Sequence, residues 1–201
     1  MSLKKSLLTL AVLILPLGIV NAATVYKVDP KASSVKWLGK KVTGQHNGSV
    51  QIKEGELVTN GKAVTGGKFV IDSTSITNED IQDAEYNEKL VGHLKSPDFF
   101  DAEKHPTSTF EITKLESLTT GANGATHTVS GNLTIKGITK PLNFPAKVTM
   151  TPTTVTADAK NVAVDRTLYD IKYGSGKFFQ GLGDKVISDQ FWLDISLVAK
   201  K

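Results

Sequence analysis

From residue 24 onward the chain is written mostly in period two. Val35 and Trp37 alternate with Ser34 and Lys36, and Phe69 and Ile71 alternate with Lys68, Val70 and Asp72. Thr107 to Ile112 places Phe110 and Ile112 on one parity, and His127 to Ile135 places Val129, Gly131, Leu133 and Ile135 together. The longest run is the last, with Phe191, Leu193, Ile195, Leu197 and Ala199 facing away from Gln190, Trp192, Asp194 and Ser196. Such alternation marks half-buried strands whose apolar positions share an inner face.

The punctuation between runs predicts how they connect. Thr24 to Val28 and Ser33 to Leu38 flank the turn pair Asp29-Pro30. Asn47-Gly48, Gly55, Asn60-Gly61 and Gly66-Gly67 recur every few residues and read as turns of a meander of short strands. Ile112 to Leu118 is expected to return through Gly121 to Gly124 into the strand from His127. Pro141 to Met150 alternates despite two prolines, which places it at an edge or a bulge. Val155, Ala157 and Ala159 keep one parity while Val162 and Val164 keep the other, so a bulge is predicted at Lys160 to Asn161.

One stretch is helical instead. Thr77 with Asp80 resembles a capping box, and Ile81, Ala84, Val91 and Leu94 form a stripe that Pro97 ends, giving a helical insertion near residues 78–95. Gly92 weakens its last turn, so two short helices fit as well as one. The adjacent rings Phe99 and Phe100 cannot share a strand face; one is expected to plug the interior and the other to anchor the turn above it.

Eight or more alternating runs without a βαβ rhythm predict an all-β fold, a closed antiparallel barrel or a sandwich. Closure removes open edges, and small inward residues at Gly131, Ala157 and Ala159 favour a barrel with a cavity. Met1 to Ala22 carries Lys4 and Lys5, then the apolar block Leu7 to Val20, then Val20-Asn21-Ala22, the pattern of a cleavable secretory signal. The apolar block falls short of the roughly 20 residues needed to span a bilayer. Cleavage after Ala22 or Ala23 leaves one domain, 23–201, with no lasting membrane insertion and a periplasmic or secreted location.

Loss of Lys4 and Lys5 lowers the formal charge from +4 to +2, and the remaining lysines are scattered, which is not a nucleic-acid footprint. The absence of cysteine excludes disulfides, thiol chemistry and lipoprotein acylation. His46, His93, His105 and His127 have no metal-ligand spacing, and His93 reads as a helix C-terminal residue bonding a nearby carbonyl. Tyr173-Gly174-Ser175-Gly176 is neither a phosphate loop nor a nucleophile elbow. Arg166, the single arginine, either holds a loop or faces an anionic head group. No catalytic constellation emerges, and no cofactor or metal is called for.

The string from Gly92 to Ile112, GHLKSPDFFDAEKHPTSTFEI, resembles the signature of the YceI-like family of periplasmic or secreted lipid-binding proteins. Ser34 to Trp37, Gly66 to Asp72, Gly131 to Pro141 and Asp165 to Tyr169 continue the resemblance. It implies an extended eight-stranded antiparallel lipocalin-like barrel around a long isoprenoid or similar tail. The candidate ligand-binding set is then Val35, Trp37, Phe69, Ile71, Phe110, Ile112, Leu133, Ile135, Phe144 and Phe191, with Phe99, Phe100, Arg166 and Tyr169. Alternation alone allows the same rings to pack solidly against one another, which would leave an interaction or stress-response module working from its surface; an enzyme acting on a lipid is a third class. The partner implied is a small-molecule lipid, an isoprenoid quinone or polyprenyl compound ahead of a fatty acid or amide. A homodimer through Trp192 on the outer face of the last strand is a further expectation.

Overall fold

The computed structural model describes residues 23–119 and 121–201; the expected signal segment, 1–22, lies outside them. The strands are β1 (Thr24–Val28), β2 (Ser34–Lys41), β3 (Gly44–Thr59), β4 (Val64–Asn78), β5 (Thr107–Ser117), β6 (His127–Ile135), β7 (Ile138–Met150), β8 (Thr154–Asp165) and β9 (Ile187–Lys200), with one helix, α1 (Ala84–Lys95), between β4 and β5. Every pairing is antiparallel. The order β3-β2-β9-β8-β7-β6-β5-β4 closes because β4 pairs back onto β3, which removes the sandwich alternative.

The barrel has eight staves although the chain supplies nine strands. β1 pairs with the end of β3 (Thr24↔Thr59) and the end of β9 (Val28↔Ala199), whereas β2 pairs with the other halves of the same strands (Val35↔Val50, Val35↔Ile195). β1 and β2 are thus two lengths of one stave. The break falls at Asp29-Pro30, where proline has no N–H to give a ladder. The Asp29 carboxylate accepts from the Lys31 and Ala32 amides and from Lys200 Nζ at 2.7 Å, tying the break to β9.

The glycine-rich region does not form the expected meander. Asn47-Gly48 and Gly55 lie inside β3, and Gly66-Gly67 inside β4, which run 16 and 15 residues. These glycines serve close approach: a Cβ on Gly48 would overlap the Thr77 carbonyl oxygen, and one on Gly67 would lie 2.7 Å from that of Glu56. Only Asn60-Gly61 is a turn, with Gly61 at φ +82. The bulge in β8 does fall where parity switches. The register against β9 shifts between Ala159 and Val162, and Asn161 takes φ 53.

The helix starts later than the capping pattern predicts. Thr77 remains in β4, and Asp80 accepts instead from the Asn47 amide (2.9 Å) and lies 2.8 Å from His46 Nδ1. Asp83 is the N-cap, accepting from Tyr86 N at 3.0 Å. It is one helix, ending as Ser96 N donates back to the His93 carbonyl. None of its residues is fully buried, so α1 lies across the barrel end and contributes little to the core. No helix among the described residues is long and apolar enough to cross a membrane.

Candidate functional site

The barrel interior is hollow in two places. A cavity of about 160 Å³ lies at the α1 end, and a second of about 120 Å³ lies deeper. Val35 on β2, Ile71 on β4 and Leu193 on β9 wall both, so the two voids adjoin end to end along the axis.

Thirteen of the fourteen candidate residues line one void or the other. Trp37, Phe99, Phe100, Leu133, Ile135, Arg166 and Phe191 line the end cavity, and Phe69, Phe110, Ile112 and Phe144 the deep one, with Val35 and Ile71 shared. Tyr169 does not join them: it is buried at 2% exposure in the packing beneath the short turn Arg166–Tyr169, where burial pushes its phenol up to about 12. Both rings of the Phe99-Phe100 pair face the cavity, whereas one was expected to anchor the turn. Phe99 is buried against His93 and Tyr173, and Phe100 meets Phe191 edge-on at 6.0 Å. The Pro97 turn bends the backbone enough for adjacent side chains to reach one space.

Parity finds more of the lining, including Leu193, Ile195 and Leu197, which share the inward side of β9 with Phe191, but misses Ile187, which lies before the run that parity marked. It does not find Leu94 from α1 or Ile171 from the segment after β8, both of which enter the end cavity from outside the sheet. No periodic signal marks Ile171.

Polar atoms gather only at the α1 end. Ser73 Oγ and Ser108 Oγ lie 3.2 Å apart, and Ser188 and Gln190 complete the border, the latter exposed at the rim; Lys40 adds its stem, its ammonium lying outside over Trp192. Arg166 reaches this border but is already committed. Its Nε donates to the Ser188 carbonyl (2.8 Å), Nη1 to that of Ile171 (2.8 Å) and Nη2 to that of Ile187 (3.1 Å), while Asp189 Oδ1 lies 3.9 Å from Nη2. Burial lowers the guanidinium pKa and the Asp189 and Asp165 carboxylates oppose that shift.

His93 bonds a carboxylate, Asp98 Oδ2 at 3.0 Å, where a carbonyl was expected; its ring stands edge-on to Phe99 and Tyr173. His46 pairs with Asp80, and His127 with Thr126. Among the described residues no group of three or more His, Asp or Glu is placed to hold a metal ion. On the outer wall, Trp192 is half-buried with Lys40 Nζ 4.5 Å above its ring, and so is less bare than the register of β9 implied. The chemistry of the interior is that of a site for a hydrophobic small molecule.

Comparison with known proteins agrees with this architecture. A UPF0312 protein of Pseudomonas aeruginosa is 45% identical over 56 residues, and one of Pectobacterium atrosepticum 38% identical over 56 residues. Each match covers 28% of this chain and 27% of the relative. The crystal structure of Burkholderia cenocepacia BcnA superposes with a TM-score of 0.60 at 25% identity, covering 86% of this chain and 99% of that one. A polyisoprenoid binding domain from Saccharophagus degradans, implicated in plant cell wall breakdown, superposes with a TM-score of 0.62 at 16% identity, covering 87% and 97%. The family model described as the YceI-like domain matches residues 26–199, from β1 to β9, and the chain belongs to that family.

Proposed function

We propose that the protein binds and sequesters or carries an amphipathic lipid, an isoprenoid quinone or polyprenyl chain, without chemically changing it. The tail lies along the barrel axis through both cavities, and the head stays at the α1 end among Ser73, Ser108, Ser188 and Gln190. The observation that carries this reading is that two apolar voids stand next to each other inside the barrel, sharing walls at Val35, Ile71 and Leu193, so that an elongated tail can draw on both. Each buried methylene contributes about 0.8 kcal/mol, so such a space holds a long tail without polar contacts. The polyisoprenoid binding described for the Saccharophagus degradans domain supports an isoprenoid over a straight acyl chain. A water-insoluble cargo also suits a protein working outside the cytoplasm, after export by the segment 1–22.

The test is organic-solvent extraction of the purified protein followed by mass spectrometry, together with titration by a fluorescent polyprenyl probe. A co-purified isoprenoid and saturable probe uptake are expected. Repeated extraction without any lipid, with no uptake of the probe, overturns the reading; a co-purified fatty acid or amide corrects the cargo.

A further inference from the structure

We infer that the rim of the barrel at the α1 end is a docking surface for an anionic phospholipid bilayer, and that cargo passes between that bilayer and the end cavity. The inference rests on the lipid-binding reading above. Seven large apolar side chains are exposed among the described residues, and five of them gather on this rim: Val42, Leu168, Tyr173, Phe178 and Phe179, each between 43% and 63% exposed. Four belong to the segment 166–186 that follows β8. Val42 belongs to the β2–β3 turn, whose amide donates to the Val186 carbonyl of that segment at 3.1 Å. A soluble barrel with no partner at this end has no use for such a cluster.

The rings are presented by a built loop. Ser175 is fully buried, and its carbonyl accepts from both the Phe178 and the Phe179 amides at 3.1 and 3.0 Å, while Ile187 N donates to the Gly174 carbonyl at 2.8 Å. That scaffold fixes the base of the loop and turns adjacent phenylalanines outward. The charge around them is basic. Lys172 Nζ and Lys177 Nζ lie 5.3 and 5.6 Å from the centre of the Phe178 ring, and Lys41 and Lys185 are exposed beside Val42 and Val186. Against these stand Asp170, paired with Lys172 at 2.6 Å, and Asp184. Aromatic side chains flanked by lysines are the composition of an interfacial anchor, the rings at acyl depth and the ammonium groups among anionic head groups.

The same segment is a wall of the cavity. Ile171 lines it, next to Ile187 at the start of β9, and Tyr173 touches His93 and Phe99, whose ring faces the void. A tail leaving the bilayer at this rim therefore enters the barrel without crossing water, where each exposed methylene costs about 0.8 kcal/mol.

The experiment floats the purified protein with vesicles of phosphatidylcholine alone and of phosphatidylcholine with phosphatidylglycerol, and follows transfer of a fluorescent polyprenyl probe from the same vesicles. Flotation with the anionic vesicles, weakened by salt, is expected. The double variant Phe178→Ser, Phe179→Ser should lose flotation and slow transfer by about tenfold or more, from the lost burial of two rings. Its equilibrium uptake of probe delivered from detergent should be unchanged, which also shows that it folds. Lys172→Glu with Lys177→Glu should remove the preference for anionic vesicles. A wild-type protein that does not float, a double variant that transfers as fast as wild type, or a patch that serves only to join two copies in sedimentation overturns the docking surface. Flotation without any probe uptake from vesicles or detergent instead overturns the lipid-binding reading and leaves the surface standing.

Discussion

Arg166 joins three carbonyls that lie 5, 21 and 22 residues along the chain: that of Ile171 is within the segment that carries the rim, and those of Ile187 and Ser188 are just past its end. A fixed guanidinium fork suits that task, and an ammonium on a flexible stem does not. Arg166→Met should therefore destabilise the fold by about 3 kcal/mol or more, since it orphans buried carbonyls and leaves Asp189 without its counter-charge, and Arg166→Lys should recover only part of the loss. Urea unfolding measures both. If Arg166 serves a lipid head instead, stability will hold and only probe affinity will fall. In the sequence the single arginine favoured a loop-holding role over a ligand without settling it, because its partners are backbone atoms, two of them more than 20 residues away in the chain. Tyr169 was drawn into the site by the family-like stretch Asp165 to Tyr169, yet it lies in the packing behind the wall, buried against Phe99, Leu133, Ile135 and Ile171, and does not line the void itself.

At the scale of elements, period-two patterning located the strands and the parity switch located the bulge, because both are written in the order of residues. The glycines misled. A turn and a close approach of two backbones call for the same residue, and only the neighbouring strand tells them apart: Gly48 faces Thr77, which lies in the next strand and is invisible to local pattern. The helix start failed for a related reason, since Asp80 was already engaged by β3 and Asp83 took over the cap. The bulge in β8 has its own lock. Asp194 Oδ1 accepts from the Asn161 amide at 2.9 Å and Oδ2 from Lys160 Nζ at 3.2 Å. The Asn161 N–H foremost, with Lys160 assisting and burial opposing, holds the Asp194 carboxyl below its ordinary 3.8. A carboxylate with a depressed folded pKa gives stability that is complete above the unfolded value and is lost as pH falls through the folded one. Asp194→Asn should accordingly be less stable than wild type at neutral pH, by less than about 1 kcal/mol because the pair is partly exposed. The gap should close as the solution is acidified below the ordinary carboxylate pKa. Urea midpoints across that range decide the matter, and a gap that widens in acid counts against the lock.

For the molecule as a whole, the closed barrel was expected from the chain, but not which strands would meet to close it or where its voids would fall. Inward parity says that Val35, Ile71 and Leu193 face one interior, but only the return of β4 onto β3 sets them around a common axis, and only then do two voids meet end to end. Small side chains at Ala157 and Ala159 on β8 and Ala146 on β7 keep the deep void open; they line it where bulkier residues would close it. If cargo occupies both voids, affinity must climb with tail length until the deep one is full, and a block placed there must cut that climb short while leaving the entrance untouched. Ala157→Phe is such a block: its side chain projects into the deep cavity opposite Val148, far from α1 and the rim. Filling an apolar void adds contacts, so the variant should unfold at a urea concentration no lower than wild type. In competition against the fluorescent probe, a geranyl-length compound should bind the variant as it binds wild type, whereas a long polyprenyl compound should lose the gain from its extra isoprene units. Parallel length dependence in the two proteins would confine the tail to the end cavity, and the deep one would then be a packing defect that the ligand never reaches.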